Sequence, residues 1–226
     1  MLKITVHWIL ILLIPAFAGA IELHPPLDGP LALPITKEHA ISSSHWRNNS
    51  RDLPHFGAIR NRAGRIHAGV DLYPAGGEGS PVYAVSNGTI LKDDPFYIRR
   101  NGEITYALLI DHGEFVANYG EIIPFRKKGD LLYRGDLLGF VSGTGQLHFE
   151  MYAPGTNSWI RAWYGSKPEK LIDPTNILLS IYPKVGVEKS HLAESEHIDR
   201  VDIKVLPDIG RQLALPAIDT DQTPQL

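Results

Sequence analysis

The 226-residue sequence contains no cysteine, which excludes disulfide bonds and every site built on a thiolate. Any metal ligands must therefore be His, Asp or Glu side chains. Net charge is also small, since 22 Lys and Arg nearly balance 25 Asp and Glu. The resulting formal charge of −3 implies no general attraction to nucleic acid or anionic lipid. Long apolar runs are missing after the first twenty residues, so no later segment is expected to cross a membrane.

The first twenty residues differ in composition from the rest of the chain. Lys3 precedes an apolar run at 8–14, and the small residues of Ala-Phe-Ala-Gly-Ala follow at 16–20. This order is typical of a secretory signal peptide, whereas a membrane anchor needs about 20 apolar residues. We expect cleavage near Ala20, export to the periplasm or the extracellular space, and no stable membrane insertion afterwards.

Composition divides the remaining sequence into three parts. Residues 21–51 are rich in Pro and Ser without sustained periodicity, which predicts an extended lead-in along the surface of the domain. Residues 52–183 contain many turn signals between β-forming segments and constitute the predicted domain. Residues 184–226 are polar, which predicts a partly disordered C-terminal tail with one possible short strand at 200–205.

The pattern within 52–183 predicts a mainly antiparallel β fold with little helix. The segment 111–114 reads Asp-His-Gly-Glu between two β-rich runs and is typical of a hairpin turn. One helical turn is predicted at 173–176, with Asp173 as its cap. The predicted strands are Pro81–Leu91 with an irregularity at Gly88, Ile104–Ile110, Phe115–Ile122, Leu131–Tyr133, Leu137–Val141 and Gln146–Tyr152.

The last of these strands alternates strictly between apolar and polar residues. Positions 147, 149 and 151 are apolar and should face the core, so Gln146, His148 and Glu150 share the other face. A solvated outer face is one interpretation of this pattern. A polar site built on the strand is the alternative.

A second candidate cluster is His67-Ala68-Gly69-Val70-Asp71. Fully extended, this segment would hold its two ligand-type residues about 13 Å apart, so the chain must bend at Gly69 for both to reach one ion. Alone the spacing is weak, but His148 completes a set of three N and O donors. A catalytic zinc site uses such a set and leaves one position open. The sequence therefore predicts one zinc ion held by His67, Asp71 and His148.

Further motifs show that residues 52–183 resemble the lysostaphin/LytM-type zinc endopeptidases. The resemblance implies a compact, antiparallel β-sandwich-like domain that cleaves peptide cross-links in bacterial peptidoglycan, and it implies the same three zinc ligands. The matching segments are Phe56-Gly57-x-x-Arg60, His67-Ala68-Gly69-Val70-Asp71-Leu72, Gly79-Ser80-Pro81-Val82-Tyr83-Ala84, Asp111-His112-Gly113, Gly129-Asp130, Arg134-Gly135-Asp136, Leu147-His148-Phe149-Glu150 and Leu171-Ile172-Asp173-Pro174-Thr175.

Two positions depart from the family pattern. The family has His-x-His on its last strand, where this chain has Gln146, and a Tyr-x-His-Leu segment, where this chain has Glu121. In the first interpretation, Glu121 is the general base and Gln146 donates a hydrogen bond to the oxyanion. In the second, the domain binds zinc and the cell wall, or regulates another envelope enzyme through an unidentified protein partner, without catalysis. Two further alternatives are that Glu121 is an exposed strand-end carboxylate, or that the domain is purely structural and holds no metal.

Three features outside this set have both structural and functional interpretations. The lead-in is a candidate inhibitory segment, with His24, His39 or His45 filling the open zinc position. His112 is interpreted as a surface residue of a turn. The aromatic residues Trp159, Trp163 and Tyr164 either line a groove or pack within an inserted loop.

Overall fold

The computed structural model describes residues 22–42, 45, 53–60, 64–160 and 162–182. The chain divides into two compact units, Met1–Val187 and Glu188–Leu226, and all described residues belong to the first. The expected signal peptide, the polar tail and the possible strand at 200–205 lie outside the described residues. No helix in the described part of the chain combines the length and apolar character that a membrane span requires.

Short strands dominate the described residues, and the prediction of a mainly antiparallel β fold is confirmed. The helices are α1 (Lys37–Ser42) and α2 (Thr175–Ile181). The strands are β1 (Val70–Leu72), β2 (Pro81–Tyr83), β3 (Gly88–Ile98), β4 (Ile104–Asp111), β5 (Val116–Pro124), β6 (Leu131–Leu132), β7 (Leu137–Val141), β8 (Leu147–Tyr152) and β9 (Leu171–Ile172).

The strands form one nine-stranded sheet whose main path runs β1-β8-β5-β4-β3-β6. β7 pairs with both β2 and β5, and β9 pairs with β8. Both faces of the sheet are buried, because neighbouring residues of β4 alternate between two apolar clusters. Leu108 and Ile110 pack into the larger cluster, whereas Ala107 and Leu109 pack into the smaller one with Tyr152.

The prediction of one strand at Pro81–Leu91 is wrong, because β2 and β3 are separated at 84–87. The backbone there bonds to other segments: the N–H of Ala84 donates to Asp136, and Val85 accepts from the N–H of His24. Gly88 then begins β3 at a point where a Cβ atom would lie 2.6 Å from the carbonyl oxygen of Asp111. Long-range pairing therefore ends the strand that local composition would continue.

The lead-in is part of the core, contrary to the expectation of an extended surface segment. It contains α1, and Leu27 and Ile35 are fully buried. Leu27 forms a bridge to Val82; its N–H donates to the Tyr182 hydroxyl, which donates in turn to the Leu27 carbonyl. Removing this segment would therefore remove core side chains.

The predicted helical turn at 173–176 is the start of α2. The N-cap of this helix is Pro174, which has no side-chain cap, but Asp173 Oδ1 accepts the N–H of Thr175 at 2.9 Å just before the helix. The helix places Leu178 and Tyr182 against the larger apolar cluster.

Candidate metal centre

The sheet brings the three predicted ligands together through one strand pair. Asp71 on β1 lies directly opposite His148 on β8, and His67 precedes β1 by one tight segment. Gly69 makes this approach possible, because a Cβ atom there would lie 2.5 Å from the Phe149 carbonyl oxygen and 3.0 Å from the His148 ring. Glycine is therefore needed at position 69 because the chain packs closely against β8 there, in addition to the bend expected from the sequence.

The three side chains present one donor atom each toward a common point. His67 Nε2 lies 3.1 Å from His148 Nδ1 and 3.2 Å from Asp71 Oδ1, and His148 Nδ1 lies 2.9 Å from Asp71 Oδ1. Ligands of a tetrahedral zinc ion with bonds of about 2.0–2.1 Å are roughly 3.3 Å apart. All three residues are buried. Because their donor atoms lie close together, they form a group that can hold a metal ion.

The outer ring nitrogens are also fixed in the way that metal-binding imidazoles require. His67 Nδ1–H donates to the His55 carbonyl oxygen at 3.0 Å. His148 Nε2–H donates to Glu150 Oε1 at 2.9 Å. Because each ring donates on its outer side, the lone pairs of both inner nitrogens point to the shared site. This donor set fits a divalent metal ion.

Arg60 holds the Asp71 carboxylate from its other side. Its Nη2 forms a salt bridge with Asp71 Oδ2 and lies 2.8 Å from His67 Nε2. Oδ2 is thereby engaged, and Oδ1 is left facing the two imidazoles. Arg60 appears in the sequence motif, but no role for it followed from the sequence, because its contact with Asp71 depends on the fold of the 53–60 segment.

Electrostatics at the centre favour a cation next to ionised Asp71. Burial opposes ionisation of Asp71, but the neighbouring His67 ring and the Arg60 guanidinium hold its pKa well below the usual range. Burial lowers the pKa of His67 to about 4, although the Asp71 carboxylate opposes this shift. Burial would also lower the pKa of His148, but hydrogen bonds to Asp71 and Glu150 raise it to about 10. The position of His148 therefore attracts positive charge, as a proton or as a metal ion.

Glu121 lies in a strained, buried position beside this centre. It is the extra residue of a β-bulge in β5, where Gly120 pairs with Ala107 and Ile122 pairs with Tyr106. Its φ of 65° makes it the only non-glycine residue with positive φ in the described part of the chain. It is 6% exposed, so the alternative of an exposed strand-end carboxylate is wrong.

Hydrogen bonds with Tyr97 and Thr144 engage only part of the Glu121 carboxyl group. Its Oε2 is buried and has no hydrogen-bond partner among the described residues. Burial, followed by the negative charge of Asp71, raises the pKa of Glu121 to about 7. The group can therefore gain or lose a proton near neutral pH.

Gln146 lies immediately before β8 and is partly exposed. In the described residues its side-chain amide makes no hydrogen bond, whereas its carbonyl oxygen accepts the Thr144 hydroxyl at 3.2 Å. The amide therefore remains available to an incoming group. The predicted polar face of β8 is a site and not a solvated surface, because His148 and Glu150 are buried.

The predicted site residues line one cavity of about 760 Å³. Trp159 and Trp163 also line this cavity, while Tyr164 is 53% exposed and is absent from its wall. His45 of the lead-in lines the cavity as well, whereas His24 and His39 do not. Of the three histidines considered for the open metal position, the structure thus brings only His45 to the cavity.

His112 is partly buried in the predicted turn, and its ring contacts other segments of the chain. Its Nδ1–H donates to the Asn87 carbonyl oxygen at 2.9 Å, and its Nε2 accepts the Tyr119 hydroxyl at 3.1 Å. Burial lowers the pKa of His112. The residue is a structural contact outside the cavity.

Comparisons with known proteins give one family match, and it covers the residues of this centre. Residues 65–159 match Peptidase family M23, whereas no curated protein matches the chain. Similar solved structures include Helicobacter pylori Csd3, with 20% identity and a TM-score of 0.35, covering 71% of this chain and 38% of that chain. This chain therefore spans well under half of that Csd3 structure.

Two further solved structures are similar to this chain. The SpoIIIAH and SpoIIQ complex has 15% identity and a TM-score of 0.44, covering 69% of this chain and 99% of that chain. LytU has 20% identity and a TM-score of 0.41, with 57% and 86% covered. Likenesses this distant carry no statement about activity, but the family match spans all five predicted site residues. Residues 65–159 therefore match Peptidase family M23, the LytM-type family that the sequence motifs resemble.

Proposed function

We propose that the domain is a zinc-dependent endopeptidase that hydrolyses peptide cross-links of bacterial peptidoglycan. His67, Asp71 and His148 would hold the single zinc ion. When bound, zinc supplies Lewis-acid activation of water and of a peptide carbonyl. The proposal adds this reaction and this substrate to the family assignment, and it depends on whether Glu121 and Gln146 replace the family's two histidines.

The observation that carries the proposal is the placement of Glu121. A non-glycine residue at φ 65° costs about 1–3 kcal/mol of backbone strain, and such strain concentrates at functional sites. The strain here holds a buried carboxyl with an unpartnered oxygen in the same cavity as the ligands. A carboxyl so held can serve as a proton acceptor.

Each side chain then has one task in the hydrolysis. Glu121 accepts a proton from the water that attacks the carbonyl carbon, and it returns that proton to the nitrogen as the C–N bond breaks. Gln146 donates a hydrogen bond to the carbonyl oxygen while this oxygen carries negative charge. A neutral amide cannot transfer protons, so Glu121 does all the acid–base work.

The test is release of peptides from purified cell wall by the zinc-loaded protein, measured by mass spectrometry. Glu121→Gln should lower the rate by about 10²–10⁴-fold, since the amide cannot accept the proton. Zinc binding should be unchanged. Glu114→Gln, at an exposed carboxyl in the β4–β5 turn, is the matched control and should keep the full rate. Full activity of Glu121→Gln would rule out its role as the base.

The second candidate is a zinc-binding module that binds the wall or regulates another envelope enzyme without cleaving peptide bonds. The replacement of both family histidines, by Glu121 and by the neutral Gln146, favours it. A wild-type protein that holds zinc and binds the wall but releases no peptide across pH would establish this alternative.

Both proposals place the protein outside the cytoplasm, in the periplasm or outside the cell. Detection of the mature chain only in the cytoplasm would contradict this location.

A further inference from the structure

Glu150 is a buried carboxylate that the ligand set itself does not use. It follows His148 by two residues on the same face of β8 and is 2% exposed. A buried carboxylate is costly unless its oxygens accept hydrogen bonds. Its contacts therefore indicate what it does.

Both oxygens of Glu150 are engaged. Oε1 accepts His148 Nε2–H at 2.9 Å. Oε2 accepts Asn118 Nδ2–H at 2.9 Å and the Tyr152 hydroxyl at 2.5 Å. Asn118 lies opposite Glu150 in the β5–β8 pair, so the sheet register holds donor and acceptor together. The carboxylate thus has no freedom to turn away from His148.

This contact decides which ring nitrogen of His148 carries the proton. With Nε2 carrying the proton, Nδ1 presents a lone pair at 2.9 Å from Asp71 Oδ1. Two lone pairs at this distance repel unless a cation lies between them. In the other tautomer Nδ1 would carry the proton and could not bind a metal ion.

The same network reaches the wall of the cavity. The Tyr152 oxygen accepts the N–H of Ile160 at 2.9 Å, and Trp159 and Ile160 line the cavity. The Phe96 ring contacts both His148 and Trp159, with its centroid 5.3 Å from the His148 ring and 6.1 Å from the Trp159 ring. Hydrogen bonds and ring contacts therefore both connect the wall to a metal ligand.

We infer that Glu150 is a positioning residue: it holds His148 in the metal-binding tautomer and, through Tyr152, ties that ring to the loop that carries Trp159. The inference rests on the metal centre of the proposed function but is independent of peptide cleavage. No part of it requires that the domain be an active enzyme.

Glu150→Gln is the sharpest variant because it keeps the shape of the side chain. In one amide orientation the NH₂ group meets the donors of Asn118 and Tyr152. In the other it donates to His148 Nε2 and stabilises the tautomer that cannot bind. Either way, zinc affinity should fall by about 10–100-fold, measured by competition with a chromophoric chelator.

Two further variants separate positioning from general stability. Tyr152→Phe removes one of the hydrogen bonds to Glu150 but leaves the His148 contact, so its loss of zinc affinity should stay below about tenfold. Tyr119→Phe removes a buried hydroxyl that bonds Val85 and His112 and touches no ligand. It should leave zinc affinity unchanged, whatever it does to the melting temperature.

The tautomer itself can be read from long-range ¹H–¹⁵N correlations of His148 in the zinc-loaded wild-type protein. A proton on Nε2 is expected, and metal on Nε2 would overturn the inference even if no variant folds. Equal zinc affinity of wild type and Glu150→Gln would also overturn it. Failure of the wild type to bind zinc would instead contradict the metal centre, and with it the proposed function.

Discussion

His148 and Glu121 lie on the paired strands β8 and β5 and line the same cavity, yet their surroundings differ in kind. Both His148 ring nitrogens have partners, and the residue sits in regular sheet. Glu121 has positive φ, occupies a bulge and leaves Oε2 unpartnered. The regular sheet therefore stabilises the position of the ligand His148. Glu121, in contrast, is kept in a backbone conformation that non-glycine residues disfavour. Changes at the two residues should have opposite effects on stability.

The largest effect is expected for His148→Ala. Zinc binding should be lost, and Asp71 and Glu150 should remain buried without their shared partner, which costs about 3–5 kcal/mol of unfolding free energy. Metal content by mass spectrometry and chemical denaturation measure the two effects. His24→Ala, at a ring that packs against Tyr83 and not on the cavity wall, should keep zinc. Retention of stoichiometric zinc by His148→Ala would contradict the ligand assignment.

Glu121→Gly should have a smaller effect of the opposite sign. Glycine adopts positive φ without strain, which recovers about 1 kcal/mol, and the unpartnered buried carboxyl is removed. We expect the unfolding free energy in denaturant to equal or exceed that of the wild type, with zinc still bound. A clear loss of stability would mean that Glu121 is a structural residue, and the contrast between the two residues would fail.

The smallest effect concerns His112, a partly buried histidine outside the cavity. Burial lowers its folded-state pKa below the usual value of about 6.5, so the unfolded chain takes up a proton at a higher pH than the folded chain does. Stability should therefore fall as pH drops from about 6.5 toward the folded pKa, with a slope of at most about 1.4 kcal/mol per pH unit from this group.

His112→Gln isolates that contribution, because the difference between the two stability curves cancels every other titrating group. The wild type should lose more stability than the variant over this acidic range, and the curves should run parallel above pH 7. Parallel curves at acidic pH as well would show that His112 does not titrate with folding. Zinc content should be equal in both proteins, which keeps this test separate from the metal centre.

Several predictions from the sequence depended only on short-range geometry, and these agree with the structure. Alternation along 146–152 placed His148 and Glu150 on one face, because successive side chains of a strand point to opposite faces. The Asp-His-Gly-Glu turn and the hydrogen bond of Asp173 with Thr175 are local in the same sense. The prediction of one strand at Pro81–Leu91 was wrong because the backbones of Ala84 and Val85 form hydrogen bonds with residues far along the chain. The prediction that the lead-in lies along the surface was wrong because its few apolar residues are buried by partners that local composition does not reveal.

The sequence by itself determined the kinds of donor available, the absence of thiolates, the β-rich fold and the motif that marks the three candidate ligands. Only the tertiary structure decided that β1 lies beside β8, which sets Asp71 opposite His148. It also decided that Arg60 braces Asp71, that Asn118 and Tyr152 hold Glu150, and that Glu121 is buried with positive φ. The physical reason is that side-chain alternation follows from covalent geometry, whereas these contacts follow from the order and register of strands distant in sequence.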